Sequence, residues 1–167
     1  KHNRVNASFA VAVARELGVP DSMIKETVTN FPNVPGRLEL VRTWRGIKIY
    51  NDTTATTPEA TLAALRTLGQ KKNLILILGG ADKNLPLDKL VKSLPKYCQS
   101  IILLPGTGTN KLKGYKLEAI SWREVNTLSE AITLACNLAK RGDTNLLSPA
   151  FASFGPPPGG FKNEFDR

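Results

Sequence analysis

The chain of 167 residues holds only two cysteines and one histidine, and these scarcities exclude several kinds of chemistry. Cys98 and Cys136 stand outside any zinc-ligand spacing and are too few for a disulfide scaffold, so both read as reduced thiols of a cytoplasmic protein. With His2 the sole histidine, a Ser-His-Asp or Cys-His arrangement would have to use it, and nothing beside it supports one. The longest apolar runs, such as Leu74–Leu78 and Ile101–Leu104, fall far short of the ~20 residues that cross a bilayer, so no membrane span is expected. The start does not read as a signal peptide, because Lys1–Arg4 leads into a helix-periodic stretch containing Arg15 and Glu16. Acidic residues are also in deficit, 14 against 23 Lys and Arg, for a formal net charge of +9. The lysines are scattered and no basic stretch is interleaved with aromatics, which argues against nucleic acid. Basic charge serving a small anionic substrate fits better.

What is present is enough for a packed core: 41% of the residues are hydrophobic, and the length suits one ordinary domain with a small appendage. Val5, Phe9, Val13 and Leu17 carry helical spacing from Arg4 to Leu17, ending at Gly18. A second short helix starts at Asp21 or Ser22 and stops before Phe31-Pro32. Pro/Gly punctuation at Asn33-Val34-Pro35-Gly36 then marks a boundary, giving a helical segment 1–36 and a domain 37–167. Beyond it, a hairpin of Leu38–Trp44 and Ile47–Tyr50 turns at Arg45-Gly46. Strands at Leu74–Leu78, Ser100–Leu104, Leu117–Ile120 and Asn145–Ser148 alternate with helices at Pro58–Leu68, Leu87–Leu94 and Leu128–Ala139. Continuous apolar strands separated by helices predict an α/β domain, a Rossmann-like and mostly parallel sheet with helices on both faces and an antiparallel edge. Ligands of such sheets bind at the carboxyl ends of the strands.

Three of those ends are rich in small and polar residues. Ile47–Tyr50 runs into Asn51-Asp52-Thr53-Thr54-Ala55-Thr56-Thr57-Pro58, where one helix cap needs one hydroxyl and four threonines surround a carboxylate. Leu74–Leu78 leads into Gly79-Gly80-Ala81-Asp82-Lys83, where glycines admit a ligand to the backbone and a lysine follows. The last strand opens into Ser148-Pro149-Ala150-Phe151-Ala152-Ser153-Phe154, and two phenylalanines so close together predict a pocket wall.

Together with His2-Asn3-Arg4-Val5-Asn6-Ala7 and Pro35-Gly36-Arg37-Leu38-Glu39, these segments occur in the order of the Mur ligases, which the whole chain resembles, and most of all the members that add D-glutamate. The resemblance implies that residues 1–36 are the helical end of the central ATP-binding domain and residues 37–167 the amino-acid-binding C-terminal domain. It also implies a larger enzyme that joins D-glutamate to UDP-N-acetylmuramoyl-L-alanine through an acyl phosphate made from ATP, in peptidoglycan synthesis. No G-x-x-x-x-G-K-[ST] phosphate loop occurs here, so the phosphate cradle and the Mg2+ site are expected in domains that precede this fragment, as is the site for the UDP-linked substrate.

By motif, Asn3, Asn6, Arg37 and Asp52 take the nucleotide-binding positions, and Thr56, Lys83, Ser153 and Phe154 the D-glutamate positions; no residue here takes a catalytic or metal-ligating one. A substrate with two carboxylates calls for a lysine charge and directional hydroxyl donors, which Lys83, Thr56 and Ser153 offer. Two departures stand out. Thr54 occupies a position where the family often has lysine, and Pro156-Pro157-Pro158-Gly159-Gly160 lengthens the link to Phe161 and Phe165, leaving the last aromatic contact between those two. That insert is expected to project as a stiff arm at the rim of the amino-acid pocket. Alternatives are a folylpolyglutamate synthase-like ligase domain, or a basic nucleotide- or nucleic-acid-binding module. On the family reading, this chain alone neither hydrolyses ATP nor ligates, and no cofactor is bound by it alone. ATPase turnover that survives purification and scales with its concentration would contradict that.

Overall fold

The computed structural model describes residues 2–69, 72–115, 117, 119–153, and side chains from Val5 onward within that range. The chain divides into two compact units, Lys1–Asn33 and the remainder from Val34. In the first, α1 (His2–Glu16) and α2 (Asp21–Thr29) form a helical pair joined by an Arg15–Asp21 ion pair of 2.8 Å.

The second unit is an α/β domain. Its strands are β1 (Glu39–Trp44), β2 (Ile47–Asn51), β3 (Leu74–Gly79), β4 (Cys98–Leu104), β5 (Ser121–Glu124) and β6 (Thr144–Leu147), in the spatial order β1-β2-β6-β3-β4-β5. Only the β1–β2 pair is antiparallel; β2–β6, β6–β3, β3–β4 and β4–β5 are parallel. Arg45 and Gly46 both have positive φ (50° and 79°), as a two-residue primed turn requires.

Burial explains the rest of the layering. Every residue of β3 is buried, and its side chains alternate between the two faces as strand geometry dictates. Leu74, Leu76 and Leu78 pack with Leu65 of α3 (Pro58–Leu68), Leu90 and Leu94 of α4 (Asp88–Tyr97) and Leu112 of α5 (Thr107–Lys113). Ile75 and Ile77 face the other way, with Ala131 and Ala135 of α6 (Leu128–Leu138). The expected parallel sheet with helices on both faces is therefore borne out. The α6 side is less fully covered: an apolar groove of about 510 Å³, lined in part by Val41, Trp44, Ile49 and Ile132, lies over β1, β2 and β6.

Three local expectations differ. Leu117 and Ile120 were expected in a strand, but they plug the core at 7% exposure each, and β5 follows them. Its residues Ser-Trp-Arg-Glu are all exposed, as suits an edge strand guarded by charge, so their polarity hid the strand. α5 was unforeseen because Thr-Gly-Thr-Asn-Lys-Leu-Lys carries one large apolar residue. α4 runs past Pro95, whose missing N–H falls in the final turn, where buried Leu94 holds the helix to the core.

Cys98, wholly buried at the start of β4, has its thiol pushed from its ordinary 9.0 up to about 12 by desolvation. A folded-state pKa above the unfolded value contributes stability that is intact below pH ~9 and is lost as pH rises toward ~12. At pH 8, a thiol reagent should therefore label half-buried Cys136 in the native chain and spare Cys98 until denaturant is added; equal native rates would show that the β4 core opens readily.

Candidate functional site

The carboxyl ends of β2, β3, β4 and β6 converge, and backbone hydrogen bonds tie their loops together. Asp52 N–H donates to Leu147 O (2.8 Å), Gly79 N–H to Pro149 O (3.0 Å), Ala150 N–H to Ala55 O (2.9 Å) and Gly108 N–H to Gly80 O (2.9 Å). Ala81 and Ala152 exchange both bonds of an antiparallel bridge at 3.0 Å each. The glycines here answer to space: a Cβ on Gly80 (φ +135°) would lie 2.3 Å from Ala152 O, and one on Gly106 (φ +147°) would lie 2.2 Å from Gly80 O.

Within this frame the hydroxyls after β2 separate into distinct tasks. Thr57 is the cap of α3, its Oγ1 accepting from Ala60 N–H at 3.3 Å. Thr56 is released from capping, and its Oγ1 accepts from Lys83 Nζ at 2.9 Å. Two residues expected to meet one ligand, from loops after different strands, are thus brought together. Thr54, at the position where the family often has lysine, instead donates through Oγ1 to Gly36 O at 2.9 Å.

The loop carrying Lys83 is fixed by groups that the sequence did not single out. Lys111 Nζ lies 3.0 Å from Asp82 Oδ2 and 3.0 Å from Leu85 O, and Thr107 Oγ1 accepts from Asp82 N–H at 2.9 Å. Asp82 Oδ1 also accepts from Asn84 N–H at 3.0 Å. Lys111 and Thr107 come from α5, an element with no usable sequence signal.

Ser153, next to the Ala81–Ala152 bridge, is 2% exposed, and its Oγ has no partner among the described residues. An orphaned buried hydroxyl costs about 1–3 kcal/mol unless something supplies its hydrogen bond. Phe154, Phe161, Phe165 and the Pro156–Gly160 insert lie outside the described residues. Phe151 is not a pocket wall: it sits in the core against α5, so close to Gly108 that a Cβ there would lie 2.2 Å from its ring.

Of the residues expected on the nucleotide side, Asp52 is 7% exposed; its Oδ1 accepts from Leu38 N–H (3.1 Å) and its Oδ2 from Ser148 Oγ (2.9 Å). Arg37 is exposed on the turn before β1. Asn3 and Asn6 lie on α1 in the other unit; Asn6 is exposed, and the side chain of Asn3 lies outside the described residues. Ser148, which the sequence marked only as part of a strand end and assigned no role, is the buried partner of Asp52.

This chain matches known proteins along most of its length. It is 41% identical to the UDP-N-acetylmuramoylalanine--D-glutamate ligase of Roseiflexus sp. (strain RS-1) over 99% of the chain, and 38% identical to the ligase of the same name from Symbiobacterium thermophilum over 92%. It spans about a third of those relatives' own length, 35% and 34%. Its fold is similar to that of UDP-N-acetylmuramate-alanine ligase MurC from Thermotoga maritima, with a TM-score of 0.68 at 18% identity, covering 87% of this chain and 33% of that one. The family described as Mur ligase, glutamate ligase domain, matches residues 36–151, and with it the strand ends that carry Asp52, Thr56 and Lys83; the chain belongs to the Mur ligases.

Proposed function

We propose that this chain is the amino-acid-binding part of an ATP-dependent ligase that adds D-glutamate to UDP-N-acetylmuramoyl-L-alanine in the cytoplasm, for peptidoglycan synthesis. The observation that carries the reading is the 2.9 Å contact between Lys83 Nζ and Thr56 Oγ1, a cation and a hydroxyl presented from two loops with no carboxylate bonded to that ammonium among the described residues. The relatives' names, which specify D-glutamate, support the choice of amino acid.

In this reading the substrate's carboxylate takes the Lys83 ammonium and the Thr56 hydroxyl, and Ser153 Oγ, without a partner among the described residues, supplies a further hydrogen bond. A shorter or uncharged amino acid would leave these donors unpaired, which is how such a site discriminates. Asn3, Asn6, Arg37 and Asp52 serve the ATP side. The incoming amine attacks an acyl phosphate, a reaction that depends on positioning and on offsetting concentrated negative charge rather than on a side-chain nucleophile. Among the described residues no cluster of three or more His, Cys, Asp or Glu could hold a metal ion, so the reading leaves Mg2+ to the central domain and routes no step on this chain through it. The sequence likeness to D-glutamate ligases favours this reading over a folylpolyglutamate synthase-like domain, and the scattered lysines favour it over a nucleic-acid module.

In a full-length ligase carrying this domain, Lys83→Ala should lower kcat/KM for D-glutamate by the equivalent of roughly 2–4 kcal/mol, as when a desolvated carboxylate loses its charged partner. The KM for the UDP-linked substrate should barely change. Steady-state kinetics with each substrate varied in turn check this; equal losses for both would mean that Lys83 supports the fold or domain closure instead.

A further inference from the structure

The turn that leads into β1 holds an unusual backbone. Gly36 and Leu38, on either side of Arg37, both lie in the left-handed region, at φ +71° and +47°. For a bulky residue such as leucine that conformation is strained, and it persists only where the surroundings over-determine it. Here they do. Gly36 O accepts from both Thr54 N–H (3.1 Å) and Thr54 Oγ1 (2.9 Å), Gly36 N–H donates to Glu39 Oε2 (2.9 Å), and Leu38 N–H donates to Asp52 Oδ1 (3.1 Å). The outcome is an exposed Arg37 whose guanidinium forms no ion pair among the described residues.

Asp52 is itself held from behind. Its other oxygen accepts from Ser148 Oγ at 2.9 Å, and Ser148 Oγ lies 3.0 Å from Thr61 Oγ1, which donates to Ser148 O at 3.2 Å. Ser148 and Thr61 are wholly buried. Of the two acceptors within reach of Ser148 Oγ, the carboxylate oxygen is the nearer, 2.9 against 3.0 Å, and takes the serine proton. A chain of contacts therefore runs from α3 and the end of β6, through the carboxylate after β2, to the amide next to Arg37.

We propose that Asp52 is the positioning residue for Arg37, and that Ser148, which touches no ligand, orients Asp52 for that task. The inference deepens the proposed function and rests on its nucleotide-side reading of Arg37. It assigns the buried carboxylate a role exerted through the arginine's backbone.

Two measurements test it. In the full-length ligase, Ser148→Ala should raise the KM for ATP about tenfold, equivalent to 1.4 kcal/mol, and leave the KM for D-glutamate within about twofold. In an Arg37→Ala background the same substitution should change the ATP KM by less than about twofold, because its effect passes through the residue already removed. Equal factors in the two backgrounds would overturn the proposal. Independently of any nucleotide, amide exchange in this chain should quicken at Leu38 in Ser148→Ala while the β3 amides Leu76 and Ile77 keep their wild-type rates, which also shows that the sheet is intact. An unchanged Leu38 amide would overturn the clamp; a quickened amide with unchanged ATP kinetics would overturn the nucleotide-side reading of Arg37 and the positioning role with it. Asp52→Asn, which keeps the side-chain shape, serves as second variant for both readouts should Ser148→Ala fail to fold.

Discussion

The buried carboxylate of Asp52 is the constraint on which the top of this domain depends. A carboxylate at 7% exposure is tolerated only where hydrogen bonds replace its water, and here a backbone amide from the turn before β1 and a hydroxyl from the end of β6 do so. One group thereby fastens three stretches of chain that are distant in sequence. The neighbouring loops are locked by the Ala81–Ala152 bridge and by glycines whose missing Cβ atoms let backbones touch. Side chains borne on such a platform need little reordering to meet a ligand.

The chemistry offered at the strand ends is mostly donors. Lys83 and Thr56 meet one another, and Ser153 keeps a hydroxyl unspent among the described residues. A second lysine close by, Lys111, is committed to Asp82 and Leu85 O, and so builds the loop rather than binding. The lysines of a chain with net charge +9 thus differ in what they touch, Lys111 pairing with a carboxylate and Lys83 meeting a hydroxyl, a distinction that composition could not make.

Much of the fold could be read from the chain because burial leaves a plain record: Leu-Ile-Leu-Ile-Leu over 74–78 is a strand covered on both faces, and it is one. Its leucines and isoleucines even part company between the two layers. The record fails where a short element is held by tertiary contacts alone. β5 is polar and exposed, so the apolar plug Leu117 and Ile120 drew the strand assignment to itself. At the site, four threonines within five residues said that more than a cap was present, but not which did what. Only the fold separates Thr57 as cap, Thr56 as partner of Lys83 and Thr54 as tie to Gly36. Phe151 misled for the opposite reason, since an aromatic in a segment of small and hydroxyl residues looks like a pocket wall whether it points outward or, as here, into the core against Gly108.

A recognition site for D-glutamate in the loops after β2, β3 and β6 is what the proposed function requires. Titrating D-glutamate into the 15N-labelled chain and following amide shifts tests it most directly. Such a site should give saturable shifts confined to Thr56, Lys83, Ser153 and their neighbours, weaker for L-glutamate and lost in Lys83→Ala. Shifts that spread evenly over surface lysines, or that survive Lys83→Ala unchanged, would contradict it.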